Sequence, residues 1–337
     1  MRVVYFDCFS GISGDMALAA LVDAGADQAY VESELQKIRI EPFALEWRRV
    51  NKKGISALKM DVTLDPDHKP TDHRHYSDIV RLIQAAGFNE RVTALSLAIF
   101  KQIGIAEGKI HGIPIENVHF HEVGAIDSIV DVIGVALALD SLQAEYIYCS
   151  AVPLGSGTVQ CDHGLYPVPA PATLEMMRGL PIAPTDYAME MTTPTGAGIV
   201  SGVVNDFSKG LPSMIVESIG YGAGTRDLPN RPNVLRVVVG TMDKYIGEWK
   251  ASHAHIPAEH THAHEHHHHH HDHDHGHHHD HEHKHEHHND HDHDHHHHHH
   301  DHDHHHDHGH RHGKGHRHEH DHDDEHEHKG ESHSHKH

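Results

Sequence analysis

The chain has few cysteines, few basic residues and no long apolar run, and each shortage removes a class of protein. Its three cysteines, Cys8, Cys149 and Cys161, include no CxxC pair. That suits a reduced protein and excludes a disulfide scaffold. No apolar stretch approaches membrane-spanning length, and residues 1–4 lead straight into a strand rather than forming a signal peptide. We therefore expect a soluble, cytoplasmic protein with no membrane partner. Lysine and arginine number 27 against 50 acidic residues, a formal net charge of −23. An acidic surplus argues against a nucleic-acid partner. The pattern GxxxxGK[ST] is also missing, which excludes a nucleotide P-loop.

Histidine is what the chain has in excess, and its distribution divides the sequence. Residues 251–337 hold 45 of the 52 histidines, with 20 acidic and 6 basic side chains. With almost no apolar residues, this segment cannot offset the entropy of folding, so a disordered tail is expected. Alternating imidazole and carboxylate makes it a dense set of divalent-metal ligands. Two runs of six histidines, 266–271 and 295–300, begin with His266, His267, His268 and with His295, His296, His297. At two to four imidazoles per ion, the tail has room for on the order of 10–20 ions. The Irving–Williams order would favour copper over nickel there, so the tail does not name its metal. Residues 1–250 carry a net charge of −9 and seven histidines. They are long enough for one large domain, or for two divided near 65–75.

Within this body, residues 2–6 read as a buried strand and 16–24 as a helix ended by Gly25. Residues 43–50 and 57–64 read as strands joined across Asn51-Lys52-Lys53-Gly54, a hairpin signal. The polar stretch 65–72 reads as a mobile loop, with His68, His73 and His75 as further candidate ligands. Helices are predicted over 77–86, 89–107 and 172–178, and strands over 146–151, 214–219 and 234–239. Between the last two strands, residues 220–227 read as a flexible, glycine-rich backbone. An α/β (α+β) body follows, with a mixed sheet flanked by helices, because the hairpin excludes an all-parallel sheet.

The densest set of reactive groups lies in His119-Phe120-His121-Glu122-Val123-Gly124-Ala125-Ile126-Asp127-Ser128-Ile129-Val130-Asp131. Alternation over 118–121 puts His119 and His121 on one face of a strand. From Ala125 the apolar positions follow a helix, with Asp127 and Asp131 at i and i+4 on one side. Two like charges so placed repel, and a divalent cation such as Zn, Ni, Mn or Mg would reconcile them. His119, His121, Glu122, Asp127 and Asp131 are thus candidates for both catalysis and metal binding. The alternative is a polar strand-to-helix turn with surface histidines.

Other segments supply candidates for holding a substrate. Asp7 ends the first strand, where open α/β sheets place ligands. In the following loop, Ser13, Gly14 and Asp15 fit either a helix cap or a ligand site. Thr193 and Thr195 open a helix whose free amides suit a phosphate. Gly222 and Arg226 offer close backbone approach and a guanidinium suited to phosphate or carboxylate. Cys161 and His163 form a C-x-H pair with soft ligand character. We expect Asp7 and Asp15 to face the histidine–carboxylate cluster across one pocket.

The motifs DCFSGISGDM (7–16), HFHEVGAIDSIVD (119–131), HGLYPVPAPATLE (163–175), TTPTGA (192–197) and GYGAGTRDLPNRPNVLR (220–236) resemble the LarC family of nickel-insertion proteins. The glycines of residues 153–157 match as well, so the likeness covers essentially all of residues 1–250. It implies Ni(II) binding and insertion into pyridinium-3,5-bisthiocarboxylic acid mononucleotide, giving an S,C,S-bound nickel complex. Such an enzyme is a lyase of the metal-chelatase type, dependent on CTP with Mn or Mg. Its product serves a lactate racemase-type apo-enzyme. Longer members continue past the histidine-rich segment into a C-terminal domain associated with CTP binding. Against those members this chain reads as the N-terminal half of a split protein, with a separate C-terminal CTP-binding chain as partner, or as a short translation product or a truncation. We also expect a homo-oligomer. Two other readings remain open: a nickel store or chaperone worked by the tail, and a metal-dependent phosphohydrolase.

Overall fold

The computed structural model describes residues 1–67, 74–120, 123–161 and 163–242. Its centre is a seven-stranded mixed sheet. In chain order the strands are β1 (Arg2–Asp7), β2 (Phe43–Lys52), β3 (Ile55–Leu64), β4 (Tyr146–Cys149), β5 (Asp206–Phe207), β6 (Ile215–Ala223) and β7 (Val234–Thr241). Across the sheet they are ordered β5-β4-β1-β7-β6-β3-β2. β1 runs parallel to β4 and antiparallel to β7. β6 runs antiparallel to β7 and meets β3 in parallel at the pair Gly222↔Leu58.

The helices are α1 (Gly14–Asp23), α2 (Gln28–Leu35), α3 (Tyr76–Ala85), α4 (Glu90–His111), α5 (Ile126–Ser141), α6 (Pro171–Met176) and α7 (Pro194–Val203). The expected α/β architecture is therefore present, with helices flanking a mixed sheet. Val3, Val4, Tyr5 and Phe6 of β1 are all buried, as a continuous apolar run in a central strand should be. The β2–β3 hairpin closes across Lys53 and Gly54, whose φ angles of 49° and 91° define a type I′ turn. Gly25, at φ 108°, ends α1 as its position suggested.

Three segments differ from the sequence reading. Residues 220–223 are strand rather than flexible loop, and α1 packs directly on that part of β6. A Cβ at Gly222 would come within 1.9 Å of the Met16 carbonyl oxygen, and one at Gly220 within 2.2 Å of the Ala24 nitrogen. These glycines admit a helix backbone, not a bend. The strand expected over 146–151 stops at Cys149. Residues 158–167 form an unforeseen hairpin of Thr158–Cys161 against Gly164–Pro167.

Candidate functional site

Three helices begin at one cleft of about 1020 Å³. α1 starts after Ser13, α5 after Ala125, and α7 after Thr193 with Pro194 in its first turn. The first amides of each helix lack intrahelical acceptors, and their partial positive charge favours an anion. At α7, Thr193 Oγ1 accepts the Gly196 N–H at 3.1 Å. Proline has no N–H, so Thr195 carries the amide left at that end.

Carboxylates and one buried lysine line the same cleft. Lys59, on β3, is 4% exposed, and its Nζ donates to Asp15 Oδ2 at 2.7 Å and to the Met60 carbonyl at 2.9 Å. It also lies 2.9 Å from Asp61 Oδ1. Burial alone would lower the ammonium pKa, but the bonds and charges of Asp15 and Asp61 outweigh it and raise the value above the usual. Burial likewise acts to raise Asp61, yet Lys59 and Arg48 hold that carboxyl below its ordinary value.

Asp131 is in the opposite condition. Burial pushes its carboxyl well above the usual range, and the charges of Asp15 and Asp127 add to the effect. Lys59 and the Asp15 backbone N–H offset this only in part. Asp131 Oδ1 is buried without a hydrogen-bond partner. The carboxyl leans on the α-carbon of Gly14, where an added Cβ would lie 2.5 Å from both its Cβ and Oδ2. Any side chain at position 14 would displace it. Asp127, one turn before, is exposed, and its Oδ1 accepts the Ser128 N–H at 2.7 Å.

Of the residues singled out from the sequence, the cleft brings together Ser13, Gly14, Asp15, Asp127, Asp131, His163, Thr193 and Thr195. Asp7 does not face it. Arg236, its cross-strand partner on β7, donates Nε–H to Asp7 Oδ2 at 2.9 Å, so this carboxylate ties two strands together. Gly222 lies under α1 and serves packing. Arg226 lines a neighbouring cavity of about 280 Å³ that shares Ser13, Asp15 and Thr193 with the cleft. His119 sits on a two-residue strand, its ring centroid 4.6 Å from that of His75. Cys161 and His163 line another cavity, of about 170 Å³. Gly155 and Gly157 of the GxG turn do not face the cleft. A Cβ at Gly155 would fall 1.8 Å from the Met189 carbonyl oxygen.

His121, Glu122, His68, His73 and all the tail histidines lie outside the described residues. Among the described residues, no three His, Cys, Asp or Glu groups already converge to hold a metal ion. Sequence reasoning missed Lys59, Asp61 and Glu190, all of which line the cleft. A lysine two residues from an aspartate within an apolar strand puts both charges on one face, which was the available signal. No helix of the described residues is long and apolar enough to cross a membrane.

The profile of the nickel insertion protein family matches residues 4–256, and the chain belongs to that family. A pyridinium-3,5-bisthiocarboxylic acid mononucleotide nickel insertion protein of Geobacillus kaustophilus (strain HTA426) is 53% identical over 247 residues, covering 71% of this chain and 60% of the relative. A protein of the same name from Staphylococcus epidermidis (strain ATCC 35984) is 48% identical over 70% of this chain and 59% of the relative. A putative nickel insertion protein of Citrifermentans bemidjiense is 45% identical over 71% and 62%. The chain thus spans about 60% of the length of these relatives. No solved structure matches it.

Proposed function

We propose that this chain binds Ni(II) and inserts it into pyridinium-3,5-bisthiocarboxylic acid mononucleotide, a chelatase-type lyase reaction. The product would mature the nickel-pincer cofactor of lactate racemase-type enzymes. The observation that carries the reading is the cleft itself, where three helix N-termini suited to a phosphate adjoin a cluster of carboxylates around a buried, unsatisfied Asp131. The nucleotide phosphate fits the helix amides. The incoming cation fits the exposed carboxylate of Asp127, which leaves Asp131 for the proton. In the S,C,S product, nickel takes the place of a proton on a ring carbon. That proton needs an acceptor, and a carboxylate held up by burial is a stronger base than one in water. We assign this role to Asp131. CTP with Mn or Mg is the expected co-substrate, used together with a separate C-terminal CTP-binding chain of the same family.

The test combines the full chain, nickel, the mononucleotide, CTP and Mg, with and without that C-terminal chain, and reads the nickel-bearing product by mass. We expect product from the wild type and at least about a 100-fold slower rate from Asp131→Asn, the usual scale for loss of a positioned proton acceptor. An unchanged rate would remove Asp131 from the chemistry, and no product in any mixture would remove the insertase reading. The 45 tail histidines favour a second reading, storage by the tail with a body that only docks. That reading gains if the body lacking residues 251–337 fails to support cofactor maturation at ample nickel.

A further inference from the structure

Beside the cleft, at the C-terminal end of α4, lies a second group of metal-ligating side chains. Glu107 and His111 sit one turn apart, with His111 Nε2 at 3.3 Å from Glu107 Oε2. His163 reaches them from the Thr158–Pro167 hairpin, its ring centroid 5.1 Å from that of His111. Tyr166 stacks against the His163 ring at 6.0 Å. Cys161 lines the same cavity of about 170 Å³.

Taken pair by pair, the Glu107–His111 and His111–His163 spacings come near those of ligands that share an ion. A borderline divalent metal holds imidazole nitrogen and carboxylate oxygen at about 2.0–2.2 Å, which sets neighbouring donor atoms about 3 Å apart and bound imidazole centres about 4.5–5.5 Å apart. The place is also electrostatically suited. α4 ends at the left-handed Gly112, and the carbonyls of a helix C-terminus present partial negative charge that favours a cation. Imidazole, carboxylate and thiol together suit Ni, Co or Zn over Mg or Ca. The three groups do not yet meet at one point. The His111 and Glu107 side chains are 29% and 22% exposed, which leaves both room to turn.

The position gives the cluster a use. His163, Glu190, Val123 and Pro194 border both this cavity and the cleft. We propose that Glu107, His111 and His163 form a receiving site for a borderline divalent cation, from which the ion passes to the cleft by way of His163. That the cargo is nickel rests on the insertion reading; the site itself rests on its own donors.

Crystals of the full chain soaked in nickel chloride, measured at the nickel absorption edge, test the site. We expect an anomalous peak among Glu107, His111 and His163 in the wild type and its loss in the double variant Glu107→Gln, His111→Ala. No peak there in crystals that show nickel elsewhere, or a peak that survives the double variant, would overturn the proposal. In solution, the nickel concentration for half-maximal insertion should rise at least about tenfold in the double variant. An unchanged dependence would make the peak an adventitious ion only. If the chain inserts no nickel at all, the insertion reading fails, and the diffraction result still decides the receiving site.

Discussion

Replacing Asp131 by asparagine should make the protein more stable and less active. Asparagine keeps the shape and keeps an acceptor for the Asp15 backbone N–H, so the change removes mainly the charge. The wild-type carboxylate is held beside Asp15 and Asp127 with Oδ1 buried and unsatisfied. Removing a buried charge in that condition, beside two like charges, is worth about 1–2 kcal/mol. For a body of this size, that raises Tm by about 2–8 °C. The effect depends on pH in a fixed direction. Because the folded-state pKa lies above the unfolded value, the native protein binds the proton more tightly. Wild-type stability from this group is therefore greatest at low pH and is lost as pH rises through the folded pKa. The advantage of Asp131→Asn should be largest near pH 7 and shrink toward pH 5. Thermal unfolding of both proteins, followed by near-ultraviolet circular dichroism across that range, measures the difference, and contributions of the tail histidines cancel in it. A variant less stable than the wild type at pH 7, or a gap that does not vary with pH, would refute the reasoning.

Gly222→Ala should destabilise the body by about 3 kcal/mol or more, because the new methyl meets the Met16 backbone oxygen 1.9 Å away and α1 must lift from β6; chemical denaturation reads the loss, and a shift under 1 kcal/mol would count against the contact. The tail should unload with acid. Free imidazole titrates near pH 6.5, and about half of the 45 tail histidines charged at that pH moves the tail from −14 to roughly +8, so bound nickel should fall steeply between about pH 7.5 and 5.5. Equilibrium dialysis of the full chain measures this, and a flat stoichiometry over that range would show that the histidines are not the ligands.

What the sequence made legible was whatever local pattern controls. The apolar run of β1, the Asn51–Gly54 turn and the helix that carries Asp127 and Asp131 all depend on neighbours within a few residues. The candidate cleft was legible mainly at helix starts, at Ser13–Asp15, Asp127 and Thr193–Thr195, with Asp131 one turn on and His163 in the hairpin as the exceptions. Lys59 could not be placed, because its role depends on β3 meeting β6 at a single pair, Gly222↔Leu58, far apart in the chain. Asp7 misled for the same reason. Its position at a strand end suggested a ligand, but the register of β1 on β7 sets Arg236 opposite and neutralises it. The glycines at 220 and 222 read as flexibility because nothing local reveals that a helix backbone occupies the space their side chains would take.

That occupied space has a consequence for the cleft. α1 touches β6 backbone to backbone, with no side chain between them to adjust, so the height of the helix above the sheet is set by atoms that cannot change rotamer. Asp15 and Gly14 stand at the start of that helix, and Gly14 in turn is the surface on which Asp131 rests. Asp131 is thereby referenced to the sheet through two contacts at glycine. A substitution on β6, remote in sequence from every charged group in the cleft, would be felt there as a displaced carboxylate. Methyl groups added at 220 or 222 are thus expected to register first as a shifted Asp131 carboxyl and only later, under denaturant, as lost fold.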